Sequence, residues 1–361
     1  MKKALSRLKH KNGPNLLKKV LPFIQPLLLC CALQGFAQSQ TFQNPLLPSG
    51  PDPYSTYYKG YYYYMHSMQN RLVVWKTKNL ADLTHAEQRT VWTPPPNKAY
   101  SKELWAPEIL RVNGHWYIYF AADDGNNAKH RMYVLENKND DPFTGEWDFK
   151  GKIAAKTDKW AIDGDVFEYK KQWYMVWSGW EGDENGQQNI YIAKMKNATE
   201  IDGERVLLAE PTFQWETYGD LGAQSQPPHV NVNEGPQFLY HDGHLFLVFS
   251  ASGCWTDHYS LGFLEFKGQD DDLLRAENWY KHPEPLLTQS PENGVYGTGH
   301  NSFFKSPISG EDWILYHANS NPAEGCGPKR SPRMQRVFWN ADGTPFIGKP
   351  VSENTILSLP N

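Results

Sequence analysis

The segment His115-Trp116-Tyr117-Ile118-Tyr119 is one of five runs of aromatic and β-branched residues that recur along this chain. The other four are Gly60-Tyr61-Tyr62-Tyr63-Tyr64, Gln172-Trp173-Tyr174-Met175-Val176-Trp177, His244-Leu245-Phe246-Leu247-Val248-Phe249 and Asp312-Trp313-Ile314-Leu315-Tyr316. Such residues favour β-strands. A self-similar period of about 50 to 70 residues is typical of small sheets arranged around an axis. The repeat therefore predicts an all-β protein, a five-bladed β-propeller.

One ionisable residue stands ahead of each run and marks the start of a unit. These residues are Asp52, Glu108, Asp163, Glu234 and His300. A radial array brings the start of every unit to a common axis. We therefore expect these side chains, which stand at a similar phase of the repeat, to face one central pocket.

Turns and Pro-rich segments divide the chain into five units and a tail. The units span residues 44–92, 105–157, from 161 onward, 233–287 and 297–350. The polar stretch from Glu210 to Asn233 is interpreted as a long loop over one face, and such loops often shape a pocket. The tail from Thr355 to Leu359 is expected to return beside the N-terminal strand and close the ring. Because radial all-β architectures often exceed the average domain size, residues 38–361 are predicted to form a single domain.

The first 37 residues have the composition of a secretory signal peptide. They contain seven Lys or Arg and no Asp or Glu, followed by an apolar stretch that ends at the small residue Ala37. This order of charge, apolar segment and small residue predicts cleavage near Ala37 and export to the periplasm or the extracellular space. A membrane anchor is the alternative, but Pro22, Gln25 and Pro26 interrupt a stretch that is already short for a membrane span.

The mature protein is expected to be acidic. Removal of the seven positive charges changes the formal net charge from −4 to −11. This charge argues against nucleic acid and anionic membranes as partners. Aromatic residues make up 14% of the chain, which suits stacking on sugar rings as well as packing between sheets.

Two cysteines remain after cleavage, Cys254 and Cys326. In an oxidising compartment they form a disulfide if their Cα atoms lie within bonding range, and otherwise they pack as separate buried thiols. The sequence leaves both alternatives open. It contains no paired CxxC, no HExxH, no GxSxG, no Walker loop and no dinucleotide fingerprint after a strand. Structural zinc, nucleophile-elbow, nucleotide and redox functions are therefore without support.

Three acidic residues of the repeat match the needs of glycosidic bond hydrolysis. An inverting enzyme uses one carboxylic acid to protonate the leaving oxygen and one carboxylate to activate water. A third carboxylate close to the acid raises its pKa by repulsion between like charges. Asp52, Asp163 and Glu234 are the candidates, although Asp52 and Asp163 also suit simple turns.

The segments around these residues resemble glycoside hydrolase family 43, inverting five-bladed β-propellers that act on arabinose- and xylose-containing polymers. The matching segments are Asn44-Pro45-Leu46-Leu47, Pro51-Asp52-Pro53, Leu104-Trp105-Ala106-Pro107-Glu108, Ala161-Ile162-Asp163-Gly164-Asp165-Val166-Phe167, Asn233-Glu234-Gly235-Pro236, Gly297-Thr298-Gly299-His300-Asn301-Ser302, Arg333-Met334-Gln335 and Trp339-Asn340-Ala341-Asp342-Gly343-Thr344-Pro345. They cover nearly the whole mature chain in the same order, and that order is more specific than any one motif.

The resemblance implies a role for each matching residue. Asp52 is then the general base, Glu234 the general acid, and Asp163 the residue that tunes and orients the acid. Trp105 would form a wall of the pocket, and Arg333 would contact substrate hydroxyls or the acid pair.

The same resemblance implies that no cofactor is required, although His300 is a candidate ligand for a metal ion. In some arabinan-degrading relatives the matching histidine helps to hold a calcium ion or a water, so His300 is a candidate metal ligand as well as a substrate contact on the axis. A core histidine bonded to the backbone is the alternative. Glu108 is expected to be a structural carboxylate.

Further segments resemble the arabinofuranosidase branch of the family. They are His130-Arg131-Met132-Tyr133-Val134-Leu135-Glu136, Val176-Trp177-Ser178-Gly179-Trp180 and Ile190-Tyr191-Ile192-Ala193-Lys194-Met195. The expected activity is removal of terminal α-L-arabinofuranosyl groups from arabinan- or arabinoxylan-type plant cell-wall polysaccharides or oligosaccharides, by a monomer.

Three other functions remain open. A β-xylosidase and an endo-arabinanase come from the same family, and a noncatalytic carbohydrate-binding propeller comes from another class. Many of the xylosidases carry a further β-sandwich, for which the residues after Pro350 leave no room, and this favours the arabinose branch.

Overall fold

The computed structural model describes residues 41–270 and 272–360, and these are almost entirely β-strand and loop. The predicted signal peptide lies outside the described residues. The strands are β1 (Thr41–Phe42), β2 (Tyr54–Tyr58), β3 (Tyr61–Met65), β4 (Leu72–Thr77), β5 (Glu87–Trp92), β6 (Lys102–Val112), β7 (His115–Asp123), β8 (Arg131–Asn137), β9 (Asp148–Ile153), β10 (Ala161–Tyr169), β11 (Gln172–Gly179), β12 (Gln187–Asn197), β13 (Glu200–Ile201), β14 (Val206–Ala209), β15 (Asn231–His241), β16 (His244–Ala251), β17 (Ser260–Phe266), β18 (Trp279–Lys281), β19 (Tyr296–Lys305), β20 (Asp312–Asn319), β21 (Ser331–Arg336), β22 (Phe338–Trp339), β23 (Pro345–Phe346) and β24 (Leu357–Ser358).

Helix in this part of the chain is limited to short 3-10 segments. They are Leu80–His85, Asn127–Lys129, Gln214–Glu216, Ala276–Asn278 and Pro291–Asn293. Among the described residues, none of the helices has the length and apolar character needed to cross a membrane.

The strands form five antiparallel blades, each built from strands that follow one another in the chain. The blades are β2–β5, β6–β9, β10–β12 with β13 and β14, β15–β18, and β19–β21. Two parallel residue pairs between β12 and β15 join the third blade to the fourth. This arrangement confirms the predicted all-β, five-bladed propeller. Ser39–Asn361 form one compact unit.

The two ends of the propeller chain are fastened together. β1 pairs antiparallel with β24, with Thr41 opposite Ser358 and Phe42 opposite Leu357. The predicted return of the tail beside the N-terminal strand is therefore confirmed. Asn44 adds two hydrogen bonds to the backbone of Met334, each of 2.9 Å. The segment that leads to Asp52 is thus bound to the fifth blade before the first blade begins.

Aromatic and aliphatic side chains fill the gaps between adjacent blades. Five buried clusters occur, and each joins one pair of neighbouring blades around the ring. In the cluster between the first two blades, Trp116 is completely buried and its ring lies 5.3 Å from those of Tyr58 and Tyr63. Aromatic side chains bury large areas of apolar surface, so these clusters hold the blades at fixed positions around the axis.

The innermost strand of each blade carries the same backbone irregularity. A positive φ recurs near the start of each blade, at Asp52 (59°), Ala106 (42°), Asp163 (56°), Gly235 (55°) and His300 (47°), and β6 and β19 each have a further one, at Glu103 and Gly297. In β6, β10, β15 and β19 these residues coincide with shifts in strand register. Such bulges redirect side chains. Here they turn side chains from four blades toward the axis, and Asp52, at the entry to β2, adds one from the first blade.

Replacing Trp116 with alanine tests the packing between blades. We expect Trp116→Ala to lower the free energy of unfolding by about 3–5 kcal/mol, because it empties a buried aromatic site. Tyr240 is 59% exposed, so Tyr240→Ala serves as the control and should change that free energy by less than about 0.5 kcal/mol. Urea unfolding followed by tryptophan fluorescence measures both. Equal effects of the two substitutions would contradict the packing described here.

Candidate active site

A cavity of about 390 Å³ lies where the inner strands of the blades converge. Five of the six site residues expected from the sequence line it: Asp52, Trp105, Asp163, Glu234 and His300. The positive-φ position of three blades supplies Asp52, Asp163 and His300 directly, while Glu234 comes one residue before the positive-φ Gly235. The shared bulge therefore brings together side chains that are far apart in sequence.

Asp52 is held by donors from several parts of the propeller. Its Oδ1 accepts a hydrogen bond of 2.9 Å from Arg330 Nη1, and its Oδ2 accepts one of 2.6 Å from Ser67 Oγ. The Ser67 hydroxyl oxygen in turn accepts the backbone N–H of Ala106 at 2.7 Å. The backbone N–H of Asp52 donates to His317 Nδ1 at 3.1 Å. Both carboxylate oxygens are thus fixed in the cavity wall.

These contacts decide the charge of Asp52. Burial by itself raises the pKa of this carboxyl group, but the Arg330 guanidinium, His300 and His317, together with the Ser67 hydroxyl, overcome that effect. The pKa of Asp52 therefore lies well below its usual range, and the group is ionised at neutral pH.

Asp163 and Glu234 form a close pair of carboxyl groups across the cavity. One oxygen of each lies within 4.8 Å of the other. Asp163 Oδ2 accepts the backbone N–H of Gly235 at 3.0 Å, and Glu234 Oε1 accepts the Tyr259 hydroxyl at 2.8 Å. Gly235 has a φ of 55°, and a Cβ there would lie 3.3 Å from His300 Nδ1. The absence of a side chain therefore lets the backbone of Gly235 lie close to His300.

The pair holds a proton near neutral pH. Burial and, to a smaller extent, the charge of Asp52 raise the pKa of Glu234 to about 7, against the opposing effects of the Tyr259 hydrogen bond and the Arg330 charge. Burial also raises the pKa of Asp163, followed by the charges of Glu234 and Asp52. Since two buried carboxylates so close together resist ionising at once, the pair titrates as a unit. One cavity thus contains an ionised carboxylate and a protonated acid.

His300 lies beside Asp52, with its Nδ1 3.4 Å from Asp52 Oδ1. Asp163, Glu234 and His300 each offer one ligand atom to a common point, within 4.8 Å of one another. Ca²⁺ takes about six to eight oxygen ligands, whereas this set has one nitrogen and two carboxyl groups with raised pKa values. These side chains alone do not fit the calcium ion that the resemblance offered as one role for His300, and we derive no step through one.

Aromatic side chains form the walls of the cavity. Trp105 Nε1 donates to Gln69 Oε1 at 3.1 Å, and Trp160 is stacked on Trp180 at 4.7 Å. Trp255 adds a third indole. Leu221 and Val230, from the loop between Glu210 and Asn233, also line the cavity, which agrees with the expected position of that loop.

Cys254 and Cys326 form a disulfide at the edge of this wall. Their Cα atoms are 5.2 Å apart, and both residues line the cavity. The sequence left a disulfide and two free thiols open, and the structure shows the disulfide. It links the fourth blade's loop, which carries Trp255, to the loop before β21.

The prediction for Arg333 is wrong. Its side chain is completely buried, and its Nη2 donates to Ser320 Oγ and Glu353 Oε1, at 2.9 Å each, outside the cavity lining. Arg330 is the arginine that lines the cavity. Arg330 lies just before β21, whereas Arg333 lies within that strand opposite Tyr316, so the two side chains have different surroundings although they are three positions apart. Without the register of β21, the sequence could not distinguish them.

Glu108 lies below the cavity, two residues beyond the positive-φ Ala106. It is buried and its Oε1 accepts Gln237 Nε2 at 2.6 Å. Burial and the charge of Asp165 raise the pKa of Glu108 far above its usual range. The expectation that all five ionisable residues face one pocket is therefore wrong for Glu108, because the bulge sends it to a deeper layer of the hub.

Sequence reasoning also missed Ser67, Tyr259 and His317. None of them lies in a segment that matched a family motif. Their contacts with Asp52 and Glu234 arise only from the folded ring, and no local signal in the sequence marks them.

The fold, together with an ionised Asp52 and a protonated pair of Asp163 and Glu234 in one cavity, defines a β-propeller with a polar site on its axis. Comparisons with known proteins identify its family. The model of Glycosyl hydrolases family 43 matches residues 42–345. The chain belongs to glycoside hydrolase family 43.

Individual relatives agree with this assignment. An extracellular exo-α-(1→5)-L-arabinofuranosidase of Streptomyces avermitilis is 36% identical over 87% of this chain and 65% of its own length. The protein of that name from Streptomyces chartreusis is 30% identical over 77% of this chain and 82% of its own. The crystal structure of an α-L-arabinofuranosidase from Lactobacillus brevis superposes with a TM-score of 0.79 at 35% identity, over 87% of this chain and 98% of that one. The chain spans just under two thirds of the Streptomyces avermitilis protein.

The paired titration of Asp163 and Glu234 can be measured directly. We expect Asp163→Asn to lower the pKa of Glu234 from about 7, because ionisation of Glu234 then no longer creates a second adjacent negative charge. ¹³C NMR of protein labelled at the glutamate side-chain carboxyl follows the titration, and Glu234→Gln assigns the signal. An unchanged or higher pKa in Asp163→Asn would show that the two groups are not coupled.

Proposed function

We propose that this protein hydrolyses terminal α-L-arabinofuranosyl groups from plant polysaccharides or oligosaccharides, with inversion at the anomeric carbon. The observation that carries the proposal is the different protonation state of two carboxyl groups in one cavity. The pKa of Asp52 is held low by Arg330 and neighbouring groups, and the pKa of Glu234 is raised to about 7 by burial. These are the states required of a base and an acid.

In the proposed reaction Glu234 is the general acid and Asp52 the general base. Glu234 donates its proton to the glycosidic oxygen as the bond between that oxygen and the anomeric carbon breaks. Asp52 accepts a proton from the water whose oxygen forms the new bond to the same carbon. Asp163, whose own pKa is raised by burial and by the charge of Glu234, titrates together with the acid, and Arg330 and Ser67 orient the base.

The aromatic wall and the size of the cavity support an exo-acting enzyme. A cavity of about 390 Å³ is at the small end of ligand sites, which suits one terminal sugar better than a long chain. Trp105, Trp160 and Trp255 offer ring faces for the C–H faces of a furanose. The loop residues Leu221 and Val230 narrow the cavity on one side.

The names of the relatives favour arabinose over xylose. The two Streptomyces proteins named exo-α-(1→5)-L-arabinofuranosidases are 36% and 30% identical to this chain, whereas a putative β-xylosidase of Xylanibacter ruminicola is 23% identical. A β-xylosidase is therefore the second candidate, since both sugars present similar hydroxyls. A noncatalytic binding propeller has no need for the two opposite protonation states in the cavity.

Export fits the same proposal. The Streptomyces relatives are named extracellular, and residues 1–37 have the composition of a signal peptide. We infer that the exported protein consists of residues 38–361, and N-terminal sequencing of the secreted product would reject this if residues before Ala37 remained. The proposed polysaccharide partner then meets the protein outside the cell.

Hydrolysis of two aryl glycosides tests the substrate. We expect kcat/KM for p-nitrophenyl α-L-arabinofuranoside to exceed that for the β-D-xyloside by about 10- to 200-fold, the discrimination that a small difference in contact area provides. Proton NMR should show β-arabinose as the first product, because displacement by water inverts the anomeric carbon. Release of oligosaccharides from arabinan would indicate endo action. Binding of arabino-oligosaccharides without any hydrolysis would favour the noncatalytic alternative.

The dependence on the leaving group distinguishes the acid from the base. Glu234→Gln should lower kcat on arabino-oligosaccharides by about 10²–10⁴-fold but much less on the p-nitrophenyl glycoside, because p-nitrophenolate departs without protonation. Asp52→Asn should slow both substrates, since water activation is needed in each case. The control is Glu292→Gln, which removes an exposed ion pair with Lys349 far from the hub. If Glu234→Gln slowed both substrates equally, the role of acid would be wrong.

A further inference from the structure

A second cluster of ionisable side chains lies at one end of the second blade, behind the cavity wall. It consists of Glu103 in β6, Asp123 at the end of β7 and His130 just before β8, and one ligand atom from each lies within 4.8 Å of the other two. Asp123 and His130 are completely buried, while Glu103 is half-buried. None of these residues takes part in the proposed reaction.

The hydrogen bonds around His130 define which of its nitrogen atoms carries a hydrogen and which has a lone pair to offer a ligand. Nε2 lies 3.1 Å from the backbone carbonyl oxygen of Glu103, and a carbonyl can only accept, so Nε2 carries a hydrogen. In the neutral ring Nδ1 then has a free lone pair. Nδ1 lies 3.2 Å from Asp123 Oδ2 and 3.3 Å from the carbonyl oxygen of Asn127, which are also acceptors.

Asp123 has a buried oxygen that no donor satisfies. Its Oδ1 accepts the backbone N–H of Gly125 at 2.8 Å, which fixes the plane of the carboxylate. Its Oδ2 is buried and receives no hydrogen bond while Glu103 is ionised. Burial and the contact with Asp123 raise the pKa of Glu103 to about 7, so a proton on Glu103 competes with a cation for this carboxylate. A buried carboxylate oxygen without a donor is costly, and here it faces an imidazole lone pair and a second carboxyl group. Such a set of acceptors is stabilised by a cation bound among them.

We propose that Glu103, Asp123 and His130 bind a divalent transition-metal ion of the Zn²⁺ type. One imidazole nitrogen and two carboxylate oxygens are zinc ligands, whereas Ca²⁺ and Mg²⁺ prefer oxygen ligands alone. The distance of 3.2 Å between Nδ1 and Asp123 Oδ2 fits two corners of a tetrahedron with bonds of about 2.0–2.1 Å. Glu103 faces solvent and leaves a route for the ion and for a water as the fourth ligand.

The surroundings of the ligands match those of known metal sites. A metal-bound histidine usually donates its other N–H to a carbonyl or carboxylate, and bound carboxylates are themselves hydrogen-bonded. Both conditions hold, for His130 through Glu103 and for Asp123 through Gly125. The spacing of 103, 123 and 130 lies outside the CxxC and HExxH patterns, so the absence of those motifs did not exclude this site.

The site would hold one wall of the cavity in place. The His130 ring is stacked on Trp105 with centroids 4.0 Å apart, and it meets Trp160 edge-on at 6.3 Å. A metal ion that fixes the imidazole thereby fixes the indole rings in front of it. The experiment must distinguish two alternatives without a metal. One is an imidazolium whose two nitrogen atoms both donate to the surrounding oxygens, and the other is a proton shared between the carboxyl groups of Glu103 and Asp123.

Metal uptake by the full-length protein tests the proposal independently of its enzymatic activity. Protein stripped with EDTA is dialysed against Zn²⁺, its bound metal is counted by mass spectrometry, and affinities are measured by calorimetry. Glu234→Gln disables the other candidate cluster, that of Asp163, Glu234 and His300. We expect this variant to retain one tight equivalent of Zn²⁺, and its Co²⁺ form to show the intense visible bands of tetrahedral coordination.

Ligand variants in the Glu234→Gln background should weaken Zn²⁺ binding by more than about 100-fold, because a direct ligand matters more than an outer-shell partner. Asp123→Asn removes one carboxylate oxygen but keeps Oδ1 as the acceptor for the backbone N–H of Gly125. Glu103→Gln changes a half-buried ligand and is the second test variant, to be used if Asp123→Asn fails to fold. His229→Gln is the control, since His229 contacts one carboxylate, Asp220 at 2.6 Å, in a partly exposed loop, and it should leave binding unchanged.

Three results would overturn the proposal. They are the absence of a tight Zn²⁺ site in Glu234→Gln, equal Zn²⁺ binding after Glu103→Gln is added, and tighter binding of Ca²⁺ than of Zn²⁺. The first result would assign the cluster to a proton, either on the imidazole or shared between Glu103 and Asp123. Because the readout is bound metal, failure here leaves the proposed glycosidase activity untouched.

Discussion

Closure of the ring is the constraint on which the rest of this structure depends. β1 pairs with β24, and Asn44 is bound to Met334 in the last blade. As a result Asp52, which precedes the first blade, meets Arg330 of the last at 2.9 Å across 278 residues of sequence. Local structure at either end cannot create this contact. The ion pair of the proposed base therefore requires all five blades to be packed in order.

Within the closed ring, burial raises the pKa of each carboxyl group in the cavity, and the neighbouring charges and hydrogen bonds decide whether the group is ionised. Burial raises the pKa of Asp52, but a guanidinium, two imidazoles and a hydroxyl reverse the effect. At Asp163 and Glu234 the hydrogen bonds from Gly235 and Tyr259 and the more weakly acting Arg330 do not overcome burial and the negative charge of Asp52, so their pKa values stay raised. Charge separation between neighbouring groups thus arises from the placement of partners and not from differences in exposure.

The cavity wall is supported from behind by contacts of several kinds. Trp105 rests on His130, and Trp160 on Trp180. Trp255 follows Cys254 of the disulfide and donates its Nε1 to the carbonyl oxygen of Asp220 in the long loop at 3.0 Å. An indole ring held on its far side presents its near face without further loss of conformational entropy on binding. This suits a site that must hold one small sugar in a defined orientation.

The sequence by itself determined the five-bladed fold, since the aromatic runs and their period report local strand preference and repetition. It also selected Asp52, Asp163, Glu234, Trp105 and His300, which the structure brings to one cavity. Only the tertiary structure decided that Arg330 and not Arg333 reaches the cavity, that Glu108 lies in a deeper layer, and that Cys254 and Cys326 are bonded. The reason is geometric. Successive residues of a strand face opposite sides and each bulge shifts that alternation by one residue, so the face that Glu108 occupies depends on strand register. Arg330, Cys254 and Cys326 lie in loops outside the strands, and their positions depend on how those loops pack in the closed ring.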